Sequence, residues 1–281
     1  MIQPVFSKFN IDSFAFIGAE KCSVANVRLH DSIPEGCNVI FMLFPYFSGS
    51  CNKKISAYGA VWDYHFFAKE VFSCLEDYFS NAFPGCFAKG FADHSPYLEC
   101  EGAARAGLGV LGDNSLLITE KYSSFVFIGE LVTSLSREEL ISIGIPEGDG
   151  NISSCLHCGL CKKSCPAQCI ASSDRDGCLS ALTQKKGELT PEEIQKLKDS
   201  GCIWGCDVCQ TVCPYTKKAK ENGTIYTPID FFKGSYLGDS PEKVIPEMDK
   251  ETFERYPFAW RKRPTIERNI NIIFHGEKNN G

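Results

Sequence analysis

The apolar positions of this 281-residue chain change rhythm several times, and each change marks an element. Residues 13–19 and 37–44 are short, nearly unbroken apolar runs closed by glycine or proline, the pattern of buried strands. From 64 to 82 the rhythm becomes helical: Phe67, Val71, Leu75, Tyr78 and Ala82 recur three and four apart until Pro84-Gly85 stops them. A short strand is expected at 88–92, running into Asp93-His94-Ser95-Pro96, then a helix at 97–105 ending in Ala106-Gly107-Leu108-Gly109. Two β-rich runs follow at 115–119 and 125–133. Strands alternating with helices predict a layered α/β (α+β) domain over 1–150. The polar joint Pro146-Glu147-Gly148-Asp149-Gly150 closes it.

Beyond that joint, cysteine replaces hydrophobic periodicity as the organising signal. Cys155, Cys158, Cys161 and Cys165 with Pro166 read C-x2-C-x2-C-x3-C-P, and Cys206, Cys209 and Cys213 with Pro214 read C-x2-C-x3-C-P. This is the ligand spacing of a bacterial ferredoxin with two 4Fe–4S clusters, where three close cysteines wrap one cubane and the distant one before proline reaches the other. The first cluster then takes Cys155, Cys158, Cys161 and Cys213. The second takes Cys165, Cys206 and Cys209 and needs a fourth thiolate. Cys178, alone in the connecting loop, and Cys202, in a C-x3-C-x2-C-x3-C run with its neighbours, compete for that place. Cys202 stands one residue further off than the short turn of a C-x2-C run wants, so spacing favours Cys178. Paired C-x2-C runs also bind zinc, but zinc ribbons do not ask for a proline after each last cysteine.

The cluster module is expected over 151–220, with a short helix inside it. Thr190 caps that helix, Pro191 takes its first turn and Glu193 completes a capping box. A C-terminal extension, 221–281, is expected to turn helical at 250–256 and 265–274 and to pack back on the core. Ile266, Ile270 and Ile273 form one apolar face there, and Gly276 ends it.

Composition narrows the class. With 43% hydrophobic residues the chain can bury the cores of one large and one small domain. Met1-Ile2-Gln3-Pro4 lacks the basic region and apolar core of a signal peptide, and no apolar run is long enough to span a bilayer. Sixteen cysteines are therefore read as reduced thiols of a cytoplasmic protein rather than a secreted disulfide framework. The eight outside the cluster set (Cys22, Cys37, Cys51, Cys74, Cys86, Cys100, Cys169 and Cys202) are read as small packing hydrophobes. A net charge of −6 and a pI near 5.5 give no global field that would draw in nucleic acid. The local exception, Arg255, Arg261, Lys262, Arg263 and Arg268, is read as a solvated face and helix ends.

With these residues assembled, the chain resembles the family of epoxyqueuosine reductases, cobalamin-dependent iron–sulfur enzymes acting on tRNA. The resemblance spans residues 33–274. It is carried by Ile55-Ser56-Ala57-Tyr58, Trp62-Asp63-Tyr64-His65, Asp93-His94-Ser95-Pro96, Ala106-Gly107-Leu108-Gly109 with Gly112, and Phe127-Ile128-Gly129-Glu130-Leu131. Gly205-Cys206-Asp207-Val208-Cys209-Gln210, Arg268-Asn269 and the eight cluster cysteines complete it. In the family the lone cysteine between the two runs is a ligand, which supports Cys178.

The resemblance implies an α/β corrinoid-binding domain with an inserted ferredoxin-like module. Two clusters would pass electrons from a ferredoxin or flavodoxin to cobalamin and make Co(I). It also implies that Asp93 gives a proton to the departing oxygen, a role that needs burial to hold the carboxyl protonated. Ser56, Leu117, Ile128 and Asp207 are implied near the corrinoid through backbone or packing contacts, with Tyr64 and His65 on the same wall. On the residues alone, Asp93 before Ser-Pro reads as a turn or cap residue, and His65 as a structural histidine. Three departures bear on the substrate. The chain stops soon after Arg268-Asn269, where family members continue into a helical-repeat domain that grips tRNA. Asp113 stands where the family usually carries lysine, and Lys185 where it tends to be acidic. These leave open tRNA, a free nucleoside or another small electrophile. The other classes admitted are a ferredoxin-like electron carrier and a corrinoid-reducing or corrinoid-binding protein, and no membrane partner is expected.

Overall fold

A computed structural model describes residues 1–49, 53–172, 177–234 and 237–275; Cys51 and the helix stop at Gly276 lie outside them. The chain forms two compact units, residues 1–45 with 64–157 and residues 46–63 with 158–281.

The first unit has strands β1 (Phe14–Gly18), β2 (Asn38–Pro45), β3 (Ala88–Phe91), β4 (Val110–Leu111), β5 (Leu117–Ile118) and β6 (Val126–Thr133). Its helices are α1 (Gln3–Lys8), α2 (Val27–His30), α3 (Tyr64–Ala82), α4 (Glu99–Arg105) and α5 (Arg137–Ser142). Four strands make one sheet in the order β1-β2-β6-β3, and β4 and β5 pair separately. The layered α/β (α+β) expectation is met in its elements, and every pair in the main sheet is antiparallel. The reason is β6, which inserts between β2 and β3, so that the strands flanking α3 never meet and form a split βαβ unit.

Period-two burial sets the register. Val39, Phe41 and Leu43 lie opposite Val132, Glu130 and Ile128, and this face joins Phe91, Tyr97, Ala103 and Ala104 in one core. Helix α4 can approach the sheet because Gly102 has no side chain; a Cβ there would fall 2.2 Å from the Phe41 ring. The helix begins two residues later than the sequence suggests. Tyr97 is spent on a bridge to Val24, and the Leu98 amide donates to the Ser23 carbonyl at 2.9 Å. Helix α3 has the expected bounds, but its buried stripe runs through Phe67, Val71, Phe72, Leu75 and Phe79, leaving Ala82 exposed.

The second unit is helical: α6 (Leu160–Ser164), α7 (Cys169–Ser172), α8 (Leu179–Gln184), α9 (Pro191–Ser200), α10 (Val208–Thr211) and α11 (Pro214–Glu221), then α12 (Asp230–Lys233), α13 (Pro241–Glu247), α14 (Lys250–Glu254) and α15 (Arg263–Ile270). Helix α9 carries the anticipated capping box, Thr190 with Glu193, and Pro191 at its start. Residues 46–63, grouped with the first domain in the sequence reading, fold here. The Ser56 amide donates to the Trp204 carbonyl at 2.9 Å and the Ile203 amide to the Lys54 carbonyl at 2.6 Å. Phe253, Phe258, Ile266 and Ile270 share a core with Ile55, Ile203 and Trp204, so this part of the 221–281 extension is continuous with the cluster segment. Asn269 ties the parts together, its buried amide donating to the Thr183 carbonyl at 2.7 Å and the Ile203 carbonyl at 2.9 Å. Among the described residues no helix is long and apolar enough to cross a membrane.

Candidate iron–sulfur and proton-donor sites

The cysteine runs are presented by turns and helix ends. Cys165 closes α6, Cys178 stands at the N-cap of α8 and Cys213 at the N-cap of α11, each in extended backbone. The proline after Cys213 occupies the first turn of its helix, where a missing amide hydrogen leaves nothing unpaired. Helix α10 packs against α6, bringing the run with Cys206 and Cys209 alongside the run with Cys161 and Cys165. Cys206, Cys178 and Cys165 are near enough for their charges to act on one another. Every cysteine among the described residues carries a free thiol. Soft thiolate donors at these spacings fit iron–sulfur cubanes.

Of the two competitors for the last ligand place, Cys178 is half-buried and Cys202 buried, and each lies near enough to Cys206 for their charges to interact. Cys202 is buried and donates its S–H to the Gly205 carbonyl at 2.7 Å, and burial pushes its thiol up to about 12. Cys169, read from sequence as packing, is buried, yet its Sγ lies 3.4 Å from that of Cys165. Burial, then the Cys165 and Cys178 thiols, push it up to about 12. Sequence spacing gave no hint of this neighbour, because it depends on the turn made after Pro166.

In the first unit, Asp93 follows β3 at φ +59. The His94 amide donates to the Ala92 carbonyl at 2.7 Å, closing a three-residue turn with Asp93 at its apex. The Asp93 side chain is 68% exposed, and its Oδ2 is 3.6 Å from Nε2 of His65. The expected burial of this carboxyl is therefore absent in the protein alone. Burial falls on its neighbours instead. Glu99 Oε1 accepts the Asp93 amide at 2.8 Å, and burial, with the Asp93 charge second, pushes Glu99 up to about 7. Glu130 is fully buried, accepts the Ser95 hydroxyl, and is pushed well above the carboxylate range by desolvation. Glu130 lies within the Phe127–Leu131 motif, but nothing local in the sequence marks the burial of either glutamate.

The remaining implied residues divide between the units. Tyr64 is buried and stacks on Phe127, with ring centroids 4.2 Å apart, and His65 packs beside it. Leu117 and Ile128 have their side chains in the apolar core. Asp113, the exchanged lysine position, accepts or shares a hydrogen bond with Nδ1 of His157 at 2.7 Å. The donor atoms of Asp113, His157 and Cys155 lie within 4.8 Å of one another, so the reversed charge sits beside a cluster cysteine.

In the second unit, Ser56 is buried and Asp207 Oδ2 accepts the Ala57 amide at 2.6 Å, while Oδ1 accepts from Gln210 at 2.9 Å. Burial pushes Asp207 up to about 6 against those hydrogen bonds. Both residues line a cavity of about 370 Å³ that also touches Lys53, Cys202, Cys206 and Thr211. Gly205, at φ +72, allows this approach, since a Cβ would fall 2.0 Å from the Ser56 hydroxyl oxygen. Lys185 is engaged in an ion pair with Glu193 at 2.7 Å.

Residues 154–216 match the family described as a 4Fe-4S double cluster binding domain. An epoxyqueuosine reductase from Listeria monocytogenes is 31% identical over 224 residues, 75% of this chain and 54% of that protein. One from Leadbetterella byssophila is 34% identical over 225 residues, 78% of this chain and 70% of that protein. The chain thus spans between about half and seven tenths of the length of these relatives. Among solved structures, epoxyqueuosine reductase from Streptococcus thermophilus superposes with a TM-score of 0.77 at 23% identity, covering 99% of this chain and 81% of that one. An epoxyqueuosine reductase with a tRNA-Tyr epoxyqueuosine-modified tRNA stem loop gives 0.75 at 19% identity, covering 98% and 80%. These two likenesses establish a shared mixed α/β fold.

Proposed function

Because the chain belongs to the epoxyqueuosine reductase family, we propose that it is an oxidoreductase that removes the epoxide oxygen of epoxyqueuosine. The observation that carries the reading is the double-cluster segment, 154–216, within a chain similar to these reductases over three quarters of its length. The cofactors of this family are two 4Fe–4S clusters and cobalamin. When bound, cobalamin would supply the low-potential metal centre for the reduction, and the clusters held by the two cysteine runs would supply it with single electrons drawn from a ferredoxin or flavodoxin. Loss of the oxygen as water takes two electrons and two protons.

The chain's own residues take the remaining tasks. Cys155, Cys158, Cys161 and Cys213 hold the first cluster, and Cys165, Cys178, Cys206 and Cys209 the second. Tyr64, His65, Leu117 and Ile128 of the first unit, and Ser56 and Asp207 of the second, are the residues assigned to the corrinoid. Asp93 delivers a proton to the departing oxygen. Its exposure suits delivery to an incoming substrate, and the substrate itself supplies the desolvation that keeps such a proton in place. The tRNA stem loop bound by a relative supports tRNA as the form of the substrate.

The test is anaerobic purification with cobalamin, followed by metal analysis and turnover of epoxyqueuosine as nucleoside and within tRNA. About eight irons per chain, a base-off cobalamin spectrum and loss of turnover by about a hundredfold or more in D93N are expected. Two zincs per chain would overturn the clusters. Intact iron with no corrinoid binding would leave an electron carrier as the better reading.

A further inference from the structure

Asp93 lies at an energetically unfavourable place. A non-glycine residue at φ +59, closed by a three-residue turn, persists only where surrounding contacts over-determine it. The chain on its far side is well held: the Pro96 carbonyl accepts the Ala25 amide at 2.8 Å and the Asn26 amide at 3.2 Å, and Tyr97 bridges Val24. Between Phe91 and Pro96, His65 approaches the Asp93 carboxyl at 3.6 Å, and two acidic side chains supply hydrogen bonds. Glu99 Oε1 accepts the Asp93 amide at 2.8 Å. The Ser95 hydroxyl accepts the Tyr97 amide at 3.2 Å and donates to Glu130 Oε2.

Glu130 is costly where it stands. Its register partners are Phe41 and Phe91, it is 0% exposed, and Oε1 has no hydrogen-bond partner among the described residues. An apolar side chain would fill that core position without desolvating a carboxyl. The hydrogen bond that the acid makes there is the one to Ser95, two residues from Asp93. We propose that Glu130 and Glu99 are positioning residues that hold the Asp93 turn in its strained conformation, Glu130 through the Ser95 hydroxyl and Glu99 through the Asp93 amide. Burial pushes the Glu130 carboxyl toward its neutral form, in which it can still accept the Ser95 hydroxyl.

The inference rests on reading Asp93 as the proton donor, and the experiment separates the two. Amide hydrogen exchange of residues 92–95 is measured in the cofactor-loaded protein and in S95A, E99A, E130A, E130Q and D93N, beside kcat and KM. Losing a hydrogen bond of this kind should speed exchange of the Asp93 and His94 amides by about tenfold. In S95A and E130A, kcat should fall by a similar factor with KM little changed, since the proton is needed only in the transition state. E130Q, whose amide oxygen still accepts from Ser95, should restore the exchange protection lost in E130A. S95A removes only a hydroxyl and decides the matter if E130A does not fold. Unchanged exchange and kcat in S95A would overturn the positioning role. Full turnover by D93N would overturn the proton-donor reading alone, and the exchange data would still judge the turn.

Discussion

A carboxyl group serves as an acid near neutral pH only where something disfavours its charge. In the first unit that burden falls on Glu99 rather than on the exposed Asp93. Glu99 has a folded value of about 7 against an ordinary 4.5, set first by burial, then by the Asp93 charge, and opposed by the Asp93 amide and His65. The sign follows from proton binding: between these two values the folded protein holds a proton that the unfolded chain has lost. Stability should therefore fall as pH rises from 4.5 to about 7, by about 3 kcal/mol from this group. Urea unfolding across that window should show the fall, and E99Q should flatten it. The sequence reached Asp93 through a motif of four consecutive residues, whereas Glu99 and Glu130 acquire their character from burial, Glu130 between Phe41 and Phe91 of the neighbouring strands. The cluster cysteines were legible for the opposite reason, since two- and three-residue spacings are themselves the geometry.

At the level of elements, local pattern located the pieces and long-range pairing arranged them. The bounds of α3 and the Thr190–Glu193 capping box could be read directly, because both are written within a few turns of helix. The place of β6 between β2 and β3 could not, because an apolar strand does not say which neighbour it will take. The same holds for residues 46–63, whose link to the rest of the second unit depends on backbone groups about 150 positions away, the Trp204 carbonyl and the Ile203 amide. Asn269 shows how much such a link is worth. It joins the end of α8 to residue 203 from within α15 and is fully buried. N269A leaves two buried carbonyls unpaired, at about 1–3 kcal/mol each. The denaturation midpoint of the second unit should drop accordingly with little change in m, whereas N269Q should recover part of the loss. A midpoint within error of the parent would show that those carbonyls find other partners.

For the molecule as a whole, the balance of charge bears most directly on what it can grip. The net charge is −6, and the basic residues near the end of the described chain are largely engaged in holding their own surroundings. Arg263 donates to the Ile245 and Met248 carbonyls, Arg268 to the Gly187 carbonyl, and Arg255 and Arg261 stack on Trp62 and Trp260. Guanidinium groups committed in this way are poorly placed to neutralise phosphates. A protein making 6 to 10 phosphate contacts loses roughly a thousandfold to a hundred-thousandfold in affinity between about 50 and 200 mM salt. For this chain the loss of tRNA affinity over the same range should be about tenfold, the mark of about two phosphate contacts. Turnover of the free nucleoside should hardly respond to salt. Filter binding of epoxyqueuosine-containing tRNA across that range measures the slope. A thousandfold loss would mean that the acidic surface hides a phosphate-tracking face, with these arginines released from their present partners.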